Sequence, residues 1–564
     1  MKSDRFKIIY ILGAVIIAIF IIIAIAAYQR PNITDDVDEL IFSKESGFYD
    51  DDFELSISAP HGTVYYTLDG SEPTRNSIRY DGPIHITDAS KNPNVYSMRT
   101  DVSTGFLKDL IAQYSTSDPE YRVPDYNVDK CTVVRAVIYL GGESYSDVKT
   151  ASYFVGFQEK PGYENMNFLS IVTDPENLFG YEDGIYVTGK TFDELLPHLD
   201  EYDRKKDWWW WLSNYSRDIS VEKPASLQFF DSDGNLVLSQ NGGIDIHGGG
   251  SRGSNPKSFN LYTRKQYDGY KHFREQLFSE AYYPKKMTLT QGGDDDHSKL
   301  MDYITNTLVD DPLVATMEFR PYVMFLDGEY WGVYWLTEKY DKRYISYHYG
   351  VDEDNVIMIK DWALKEGDEA AGDKGHFDQM MEFCSSADMT DPANYQRACD
   401  LIDIDSMINY YSYLIYSARS HDWPVNNVAM WRVKRTGEGR YNDGRWRYMI
   451  FDMNSSAMRE ELIEHDTIAE ACTLDMFRNM FLNPDFRNRL LDRLSTLGTT
   501  TFEPSHVQQE IDRFKALMDV PIEYNHKRFF GEGSKHYYTD KVKSIERFYQ
   551  ERPAYVQKLI ESYR

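Results

Sequence analysis

An uncharged run near the amino terminus constrains this chain more than any other feature. Residues 8–27 are twenty consecutive positions without a charged side chain, which is long enough to cross the ~30 Å hydrocarbon core of a bilayer as a helix. Three basic residues precede the run, and the excess of positive charge on the cytoplasmic side of membranes predicts a cytoplasmic amino terminus. We therefore expect residues 1–30 to form a cytoplasmic tail and a single-pass cell-membrane anchor, with the bulk of the chain extracellular. A signal peptide cleaved after about Ala26, followed by secretion, is the alternative.

No second run of this length occurs in the 564 residues, so the remainder is predicted to be a soluble ectodomain. The hydrophobic content of 42% and the charged content of 27% are ordinary for globular proteins. The formal net charge of −29 repels phosphate backbones, which argues against a nucleic-acid partner. The four cysteines are widely separated and form no CxxC pair, which argues against a cysteine zinc site and a disulfide-dense scaffold.

Residues 41–156 have the pattern of a small all-β sandwich. Short segments such as Phe53–Ser58 alternate apolar and polar residues, and turn signals separate them. The stretch Val64–Thr74, which contains the turn pair Asp69-Gly70, closely resembles the repeat of the chitobiase/β-hexosaminidase carboxy-terminal domain, and residues 133–136 and 153–155 match the end of that module. The resemblance implies an accessory module, for which glycan binding and a simple spacer role both remain open.

The pattern changes after this module. Residues 162–345 mix strands and loops, whereas residues 376–422 and 475–564 carry apolar residues at the three-to-four spacing typical of helices. A strand-rich half followed by a helix-rich half predicts an α+β enzyme with two lobes, here over residues 165–564. Four consecutive tryptophans, Trp208–Trp211, are either packed core or an aromatic platform for a glycan or partner.

A glycine-rich segment joins two predicted strands, Gly243–His247 and Lys257–Tyr262. Its sequence is Gly248, Gly249, Gly250, Ser251, Arg252. Glycines let a backbone approach phosphates with its amide groups pointing inward, and Arg252 and Lys257 flank the loop as cations. The segment predicts a phosphate-binding loop, with a purely structural hairpin as the alternative.

A second hairpin is predicted from residues 319–326 and 330–336, around the turn Asp327-Gly328. It leads into Thr337–Asp341, where we expect a helix to start. A hairpin that passes into helices in this way would form the hinge of a two-lobed enzyme.

The strongest chemical signal lies in the helix-rich half. Asp422 follows a helical stretch, Asn427 comes five residues later, and Asp452 ends the return strand of a predicted hairpin. These three side chains should converge, and their oxygen atoms are of the kind that hard Mg²⁺ prefers. The order of glycine loop, lysine, hairpin, Asp-x4-Asn, hairpin and Asp is that of a protein kinase.

The same blocks resemble the CotH kinase family, which has an atypical protein-kinase fold. The match covers residues 165–564 and rests on the glycine loop with Lys257, the segment Leu326–Tyr334, and the segment from His421 to Asn427 together with Asp452. The resemblance implies transfer of phosphate from ATP, with Mg (or Mn), to Ser or Thr of proteins. It implies an ATP-binding role for Lys257 and the loop, a catalytic role for Asp422, and a metal-binding role for Asp452.

Some roles stay open within this resemblance. Asn427 fits the second metal ligand, although the adjacent Asn426 is a rival. The acidic partner of Lys257 is either Asp302 or Glu338, and Glu338 also suits a nucleotide contact at the hinge. The run Asp294-Asp295-Asp296 is expected to cap a helix rather than to bind metal. Met453 follows Asp452 where a typical kinase has phenylalanine.

The fold class expected is therefore α+β: an atypical two-lobed kinase-like domain preceded by a small all-β sandwich and one transmembrane helix. The function expected is a membrane-anchored extracellular kinase acting on proteins of the cell envelope or spore coat, with a possible glycan contact through the sandwich. A non-catalytic envelope scaffold that displays a glycan-binding sandwich is the main alternative. A glycan hydrolase is a weaker one, because only the sandwich supports it and a fold-level association does not establish activity.

Overall fold

The computed structural model describes residues 40–106, 121–141, 143–144, 146–201, 212–279, 282–420, 423–457 and 462–564. Three features singled out in the sequence lie outside these ranges: the apolar run 8–27, the tryptophans Trp208–Trp211, and the pair His421 and Asp422. Within the described ranges, no helix has the length and apolar character needed to span a membrane.

The amino-terminal module is a β-sandwich, as predicted. One sheet has the order β2-β10-β8-β5-β6, with β9 paired to β8, and the two-stranded pairs β1–β4 and β3–β7 supply further core residues. Apolar side chains such as Leu55 and Val134 fill the space between them. The strands are β1 Ile41–Phe42, β2 Gly47–Tyr49, β3 Phe53–Leu55, β4 Ile57–Ser58, β5 Thr63–Thr67, β6 Ile78–Arg79, β7 Ile84–Ile86, β8 Thr132–Leu140, β9 Glu143–Ser144 and β10 Lys149–Val155.

Seven strands then close into a barrel in the order β11-β12-β13-β14-β15-β17-β16. Parallel pairing of β11 with β16, in register from Asn167 opposite Tyr322, closes the barrel. Successive side chains of a strand point to opposite faces, so Leu169 enters the barrel core while Phe168 packs outside it. The strands are β11 Asn167–Val172, β12 Lys223–Phe230, β13 Leu236–His247, β14 Ser258–Tyr262, β15 Lys286–Thr290, β16 Phe319–Leu326 and β17 Glu329–Glu338.

The second lobe combines a four-stranded sheet, in the order β19-β18-β20-β21, with most of the helices. Its strands are β18 Val356–Lys360, β19 Ala363–Glu366, β20 Ala429–Val433 and β21 Arg447–Met449. The helices of the described chain are α1 Pro175–Phe179, α2 Gly189–Leu195, α3 Lys265–Asp268, α4 Met301–Leu308, α5 Lys342–Tyr349, α6 Asp373–Ser386, α7 Pro392–Leu401, α8 Ile404–Tyr416, α9 Thr467–Ala471, α10 Asp475–Leu482, α11 Pro484–Leu497, α12 Pro504–Phe530 and α13 Lys535–Tyr563. The observed architecture is the mixed α+β arrangement that the sequence predicts.

Helix α12 crosses onto the barrel and is fixed there by one glycine. Gly332 has φ +109°, and a Cβ at this position would lie 2.6 Å from Asn525 Oδ1. That same oxygen accepts a hydrogen bond of 3.0 Å from the Val333 amide. Only glycine adopts this backbone angle readily, so the close approach of helix and strand depends on it.

The module and the barrel share one apolar core. The ring of Phe154 in β10 lies 5.0 Å from that of Phe325 in β16 and 5.4 Å from that of Phe230 in β12, between ring centroids. Phe48 in β2 also contacts Phe168 in β11 at 4.8 Å. The buried aromatic faces of the module are therefore covered by the barrel rather than by the module itself.

Candidate functional site

The glycine-rich loop follows directly from the barrel strand β13. Gly248 has φ +116°, and a Cβ there would lie 2.3 Å from Ser251 Oγ, so the turn requires glycine. The chain then forms a single 3-10 turn over Gly250–Gly253. The buried Arg252 side chain turns back under this loop, where its Nε donates to the Gly248 carbonyl at 2.9 Å and its Nη1 to the Tyr215 carbonyl at 2.8 Å. The predicted loop is present, and its own arginine holds it.

Lys257 lies behind this loop and is fully buried. Its Nζ donates to the carbonyls of Arg252 at 2.5 Å and Ser254 at 3.1 Å, and it lies 3.7 Å from the centre of the Tyr215 ring. Burial, together with the neighbouring Arg252 charge, lowers the pKa of Lys257 well below its usual value. The role that the structure shows for this lysine is support of the loop.

Basic side chains from separate elements meet where the barrel joins the second lobe. His247 ends β13, Lys339 follows β17, and Lys360 ends β18. The pKa of Lys339 is lowered to about 7, chiefly by burial, with Asp245 acting against the shift and Lys360 adding to it. Burial lowers the pKa of His247 well below its usual value, and the charges of Lys339, Lys360 and Arg252 act in the same direction, which favours the neutral form of its imidazole. We call His247, Arg252, Lys339 and Lys360 the basic cluster.

Burial is the main cause of the depressed pKa values of this cluster, and carboxylates act against it: Asp245 on Lys339, and Asp361 and Asp452 on Lys360. Asp245 interacts with Lys339, but its oxygens already accept hydrogen bonds from Asn260 Nδ2 at 2.5 Å and Tyr262 OH at 3.1 Å. The Lys339 ammonium donates to Asn260 Oδ1. An anion bound at the cluster would favour the charged forms of these groups.

The predicted hairpin before Asp452 is confirmed and explains the placement of the acidic residues. Strands β20 and β21 are antiparallel, with Ala429 opposite Met449. The chain that enters β20 from Asn427 and the chain that leaves β21 towards Asp452 therefore lie at the same end of the pair. The Asn427 amide donates to Asp361 Oδ1 at 2.8 Å, next to Lys360. Its neighbour Asn426 is exposed.

Asp452 meets a second carboxylate, that of Asp302 at the start of α4. The pKa of Asp302 is raised to about 7, chiefly by burial and also by the negative charge of Asp452. The Met453 amide donates to Asp302 Oδ1, and Asn454 Nδ2 donates to Asp452 Oδ1 at 2.8 Å. Arg419 Nη2 lies 3.8 Å from Asp452 Oδ2. Asp302 thus belongs beside Asp452, and the structure shows no contact between it and Lys257.

Glu338 ends β17, and the contacts of its carboxylate are with residues other than Lys257. Its Oε1 lies 2.8 Å from His348 Nε2 and its Oε2 accepts the Glu318 amide at 3.0 Å. The helix expected after residues 337–341 is present as α5, with Asp341 as its N-cap. Glu338 therefore connects β17 to α5.

The acidic run before α4 has the capping role expected of it. Asp295 accepts hydrogen bonds from the amides of Leu300 and Met301 at 2.9 and 3.0 Å, where α4 begins. In the described part of the chain, no group of three or more histidine, cysteine or acidic residues is arranged to hold a metal ion.

Lys339 and Lys360 were not predicted from the sequence as residues of the site, and Asp302 was considered as a partner of Lys257 rather than of Asp452. Lys339 directly follows Glu338, and a charged residue at the end of a buried strand was a usable signal. Lys360 ends the apolar run Val356–Ile359 in the same way. Neither signal indicates which other strand ends lie nearby.

A β-barrel lobe and a helical lobe, with basic side chains and carboxylates near one another where the lobes join, define a kinase-like protein. The family model described as CotH kinase protein matches residues 244–556, and the model described as Fn3 associated matches residues 53–153. The chain belongs to the CotH kinase family and carries an amino-terminal β-sandwich module. Membership implies kinase activity in general, with ATP and a divalent metal as cofactors. A search of the curated proteins found no match.

Proposed function

We propose that this protein is an active atypical protein kinase that transfers the γ-phosphate of ATP to Ser or Thr hydroxyls of other proteins. The observation that carries the proposal is that Lys360 interacts both with His247 and Lys339 of the basic cluster and with Asp452. A polyphosphate with its bound cation needs positive charge and carboxylates within one short span. Family membership supports the same activity.

The residues present fit such a ligand. Lys339 and Lys360 would bind phosphate oxygens, and the glycine loop, which Arg252 holds from beneath, would bring backbone amides to them. His247 would contribute a neutral N–H donor. Asp452 and Asn427 would supply oxygen ligands to Mg²⁺ or Mn²⁺. Bound ATP would supply the phosphoryl group, and the metal ion would neutralise part of the phosphate charge. Asp302 would then lie beside a cation, which favours its ionised form.

Asp422 would orient the acceptor hydroxyl. In the transfer, the bond between the γ-phosphorus and the oxygen of ADP breaks, a bond to the hydroxyl oxygen forms, and the hydroxyl proton leaves towards Asp422. Asp422 itself lies outside the described residues, so this role rests on the resemblance of the segment His421–Asn427.

We further propose that the kinase is anchored in the cell membrane by residues 8–27 and acts outside it on envelope or spore-coat-type proteins. The uncharged run behind three basic residues supports this location. Amino-terminal sequencing of the mature protein tests it, because a start near residue 27 or 28 would indicate a cleaved signal peptide and secretion.

The activity is tested with the full chain in detergent, labelled ATP, Mg²⁺ or Mn²⁺, and a generic acceptor protein. Asp422→Asn should abolish phosphate transfer while Mg–ATP binding and the thermal midpoint stay unchanged, because amidation removes only the charge that orients the hydroxyl. Asp233→Asn, at an exposed residue in the turn between β12 and β13 and thus at the other end of β13 from the glycine loop, is the matched control and should transfer phosphate like the parent. A parent chain that binds no Mg–ATP would overturn the kinase proposal in favour of the scaffold.

A further inference from the structure

One long connection of the amino-terminal module leaves the sandwich and packs against the kinase barrel. This connection joins β7 to β8. Its residue Val102 is 2% exposed and belongs to the barrel core, and its Tyr96 ring stacks on Phe179 of α1 with centroids 5.2 Å apart. We call the described residues 95–106 of this connection the bracing segment.

The start of the bracing segment is fixed to the barrel by a buried carboxylate. Glu329, at the beginning of β17, is 4% exposed and accepts the amide of Val95 at 2.5 Å and that of Ser97 at 2.7 Å. Charge-assisted hydrogen bonds of this kind are stronger than neutral ones. The segment therefore starts from a rigid point on the barrel hairpin.

The end of the bracing segment reaches the glycine-rich loop. The Ser103 side chain is fully buried, and its Oγ donates a hydrogen bond of 2.5 Å to the carbonyl of Gly253, the last residue of the 3-10 turn. Tyr121, further along the same connection, is buried, and its hydroxyl lies against Ser254 and the backbone of Asn255. Two parts of the connection thus contact consecutive residues of the loop.

Tyr215 provides a second connection between the bracing segment and the glycine-rich loop. Thr104 is buried and interacts with the Tyr215 hydroxyl. The Tyr215 carbonyl accepts Arg252 Nη1 at 2.8 Å, and its ring lies 3.7 Å from Lys257 Nζ. The bracing segment therefore also supports the two cations that hold the loop from beneath.

We propose that the bracing segment positions the glycine-rich loop for Mg–ATP. The amino-terminal module then contributes to nucleotide binding and is more than an accessory. Ser103 and Thr104 are positioning residues in this account, because they act on the loop and touch no substrate. The predicted effect on ATP binding rests on the proposed kinase function. The support of the loop by the segment rests only on contacts within the protein.

The test uses Ser103→Ala and Thr104→Val in the full chain. Each removes one hydroxyl and leaves the side chain small enough for its site. Loss of one such hydrogen bond should raise the Kd and KM for Mg–ATP about three- to tenfold. The KM for the acceptor protein should not change, since the loop lies on the nucleotide side. Ser144→Ala is the matched control, because the Ser144 hydroxyl contacts Ser146 in an exposed hairpin away from the barrel.

A second measurement separates this inference from the kinase function. Amide hydrogen exchange of residues 249–254 without nucleotide should be faster in both variants than in the parent and in Ser144→Ala. Unchanged exchange, or an equal rise in the KM values for ATP and acceptor, would overturn the bracing role. A parent that binds no Mg–ATP would overturn the kinase function alone, and hydrogen exchange would still decide whether the segment braces the loop.

Discussion

Truncation of Phe154 tests whether the module and the kinase domain unfold as one unit. The Phe154 side chain is fully buried, and five phenylalanine rings surround it with centroids 4.6 to 5.7 Å away: Phe48, Phe157, Phe168, Phe230 and Phe325. Three of these rings belong to the barrel. Phe→Ala changes in cores cost about 3–5 kcal/mol, and a site enclosed by rigid rings collapses little. We expect Phe154→Ala to lower the free energy of unfolding by about 4–5 kcal/mol.

The distribution of tryptophan makes this measurement specific. All ten tryptophans of the chain lie after residue 207, so the module contains none. Tryptophan fluorescence during urea unfolding therefore reports the kinase domain, although the mutation is in the module. If the shared core couples the two, the fluorescence midpoint should fall by the full amount. Ile78→Ala, on an exposed edge strand of the module with 53% exposure, should shift it by less than about 0.5 kcal/mol.

Independent unfolding of the two domains would contradict this prediction. In that case, the tryptophan transition of Phe154→Ala would coincide with that of the parent, and circular dichroism would show a separate earlier transition for the module. The isolated segment 41–156 gives the complementary result. It should melt without a cooperative transition if the barrel is needed to cover its aromatic face, whereas the pattern of its strands alone predicts an independently folding sandwich.

Three further predictions concern the candidate site and the fold. Asp452→Asn should weaken Mg–ATP binding and its Mg²⁺ dependence in calorimetry, because a hard cation loses an anionic ligand; equal affinity with and without the change would refute the metal role. The pKa of Lys339 is lowered to about 7, so its ammonium is present below that pH and lost above it. The affinity for Mg–ATP should therefore fall as the pH rises from about 7 to 9. Lys339→Gln should bind Mg–ATP weakly at all of these pH values, with a flatter pH profile. Gly332→Ala should lower the free energy of unfolding by about 2 kcal/mol, since its φ of +109° and the Asn525 contact exclude a side chain. Gly375→Ala, in helix α6 with open space at its Cβ, is the control and should leave the urea midpoint equal or higher.

Much of the local structure could be predicted from the sequence. The hairpin of β16 and β17, the N-cap at Asp341 and the strand pair that precedes Asp452 all follow from alternation, turn residues and capping signals within a few positions of one another. These features determine secondary structure because the relevant interactions are local. The order of motifs along the chain was also enough to indicate the kinase family, because that order is itself a property of the sequence.

Contacts between distant strand ends were decided only by the tertiary structure. Parallel pairing of β11 with β16 closes the barrel that contains β13 and β17, and the packing of the second lobe against it adds the end of β18. The tertiary structure thereby buries Lys257 behind the glycine loop, places Lys339 and Lys360 near one another, and puts Asp302 beside Asp452. Local periodicity carries no information on such pairs, because burial and charge depend on neighbours from other elements of the fold. The sequence by itself determined which residues could perform the chemistry, and the packing of the two lobes determined which of them meet at the site.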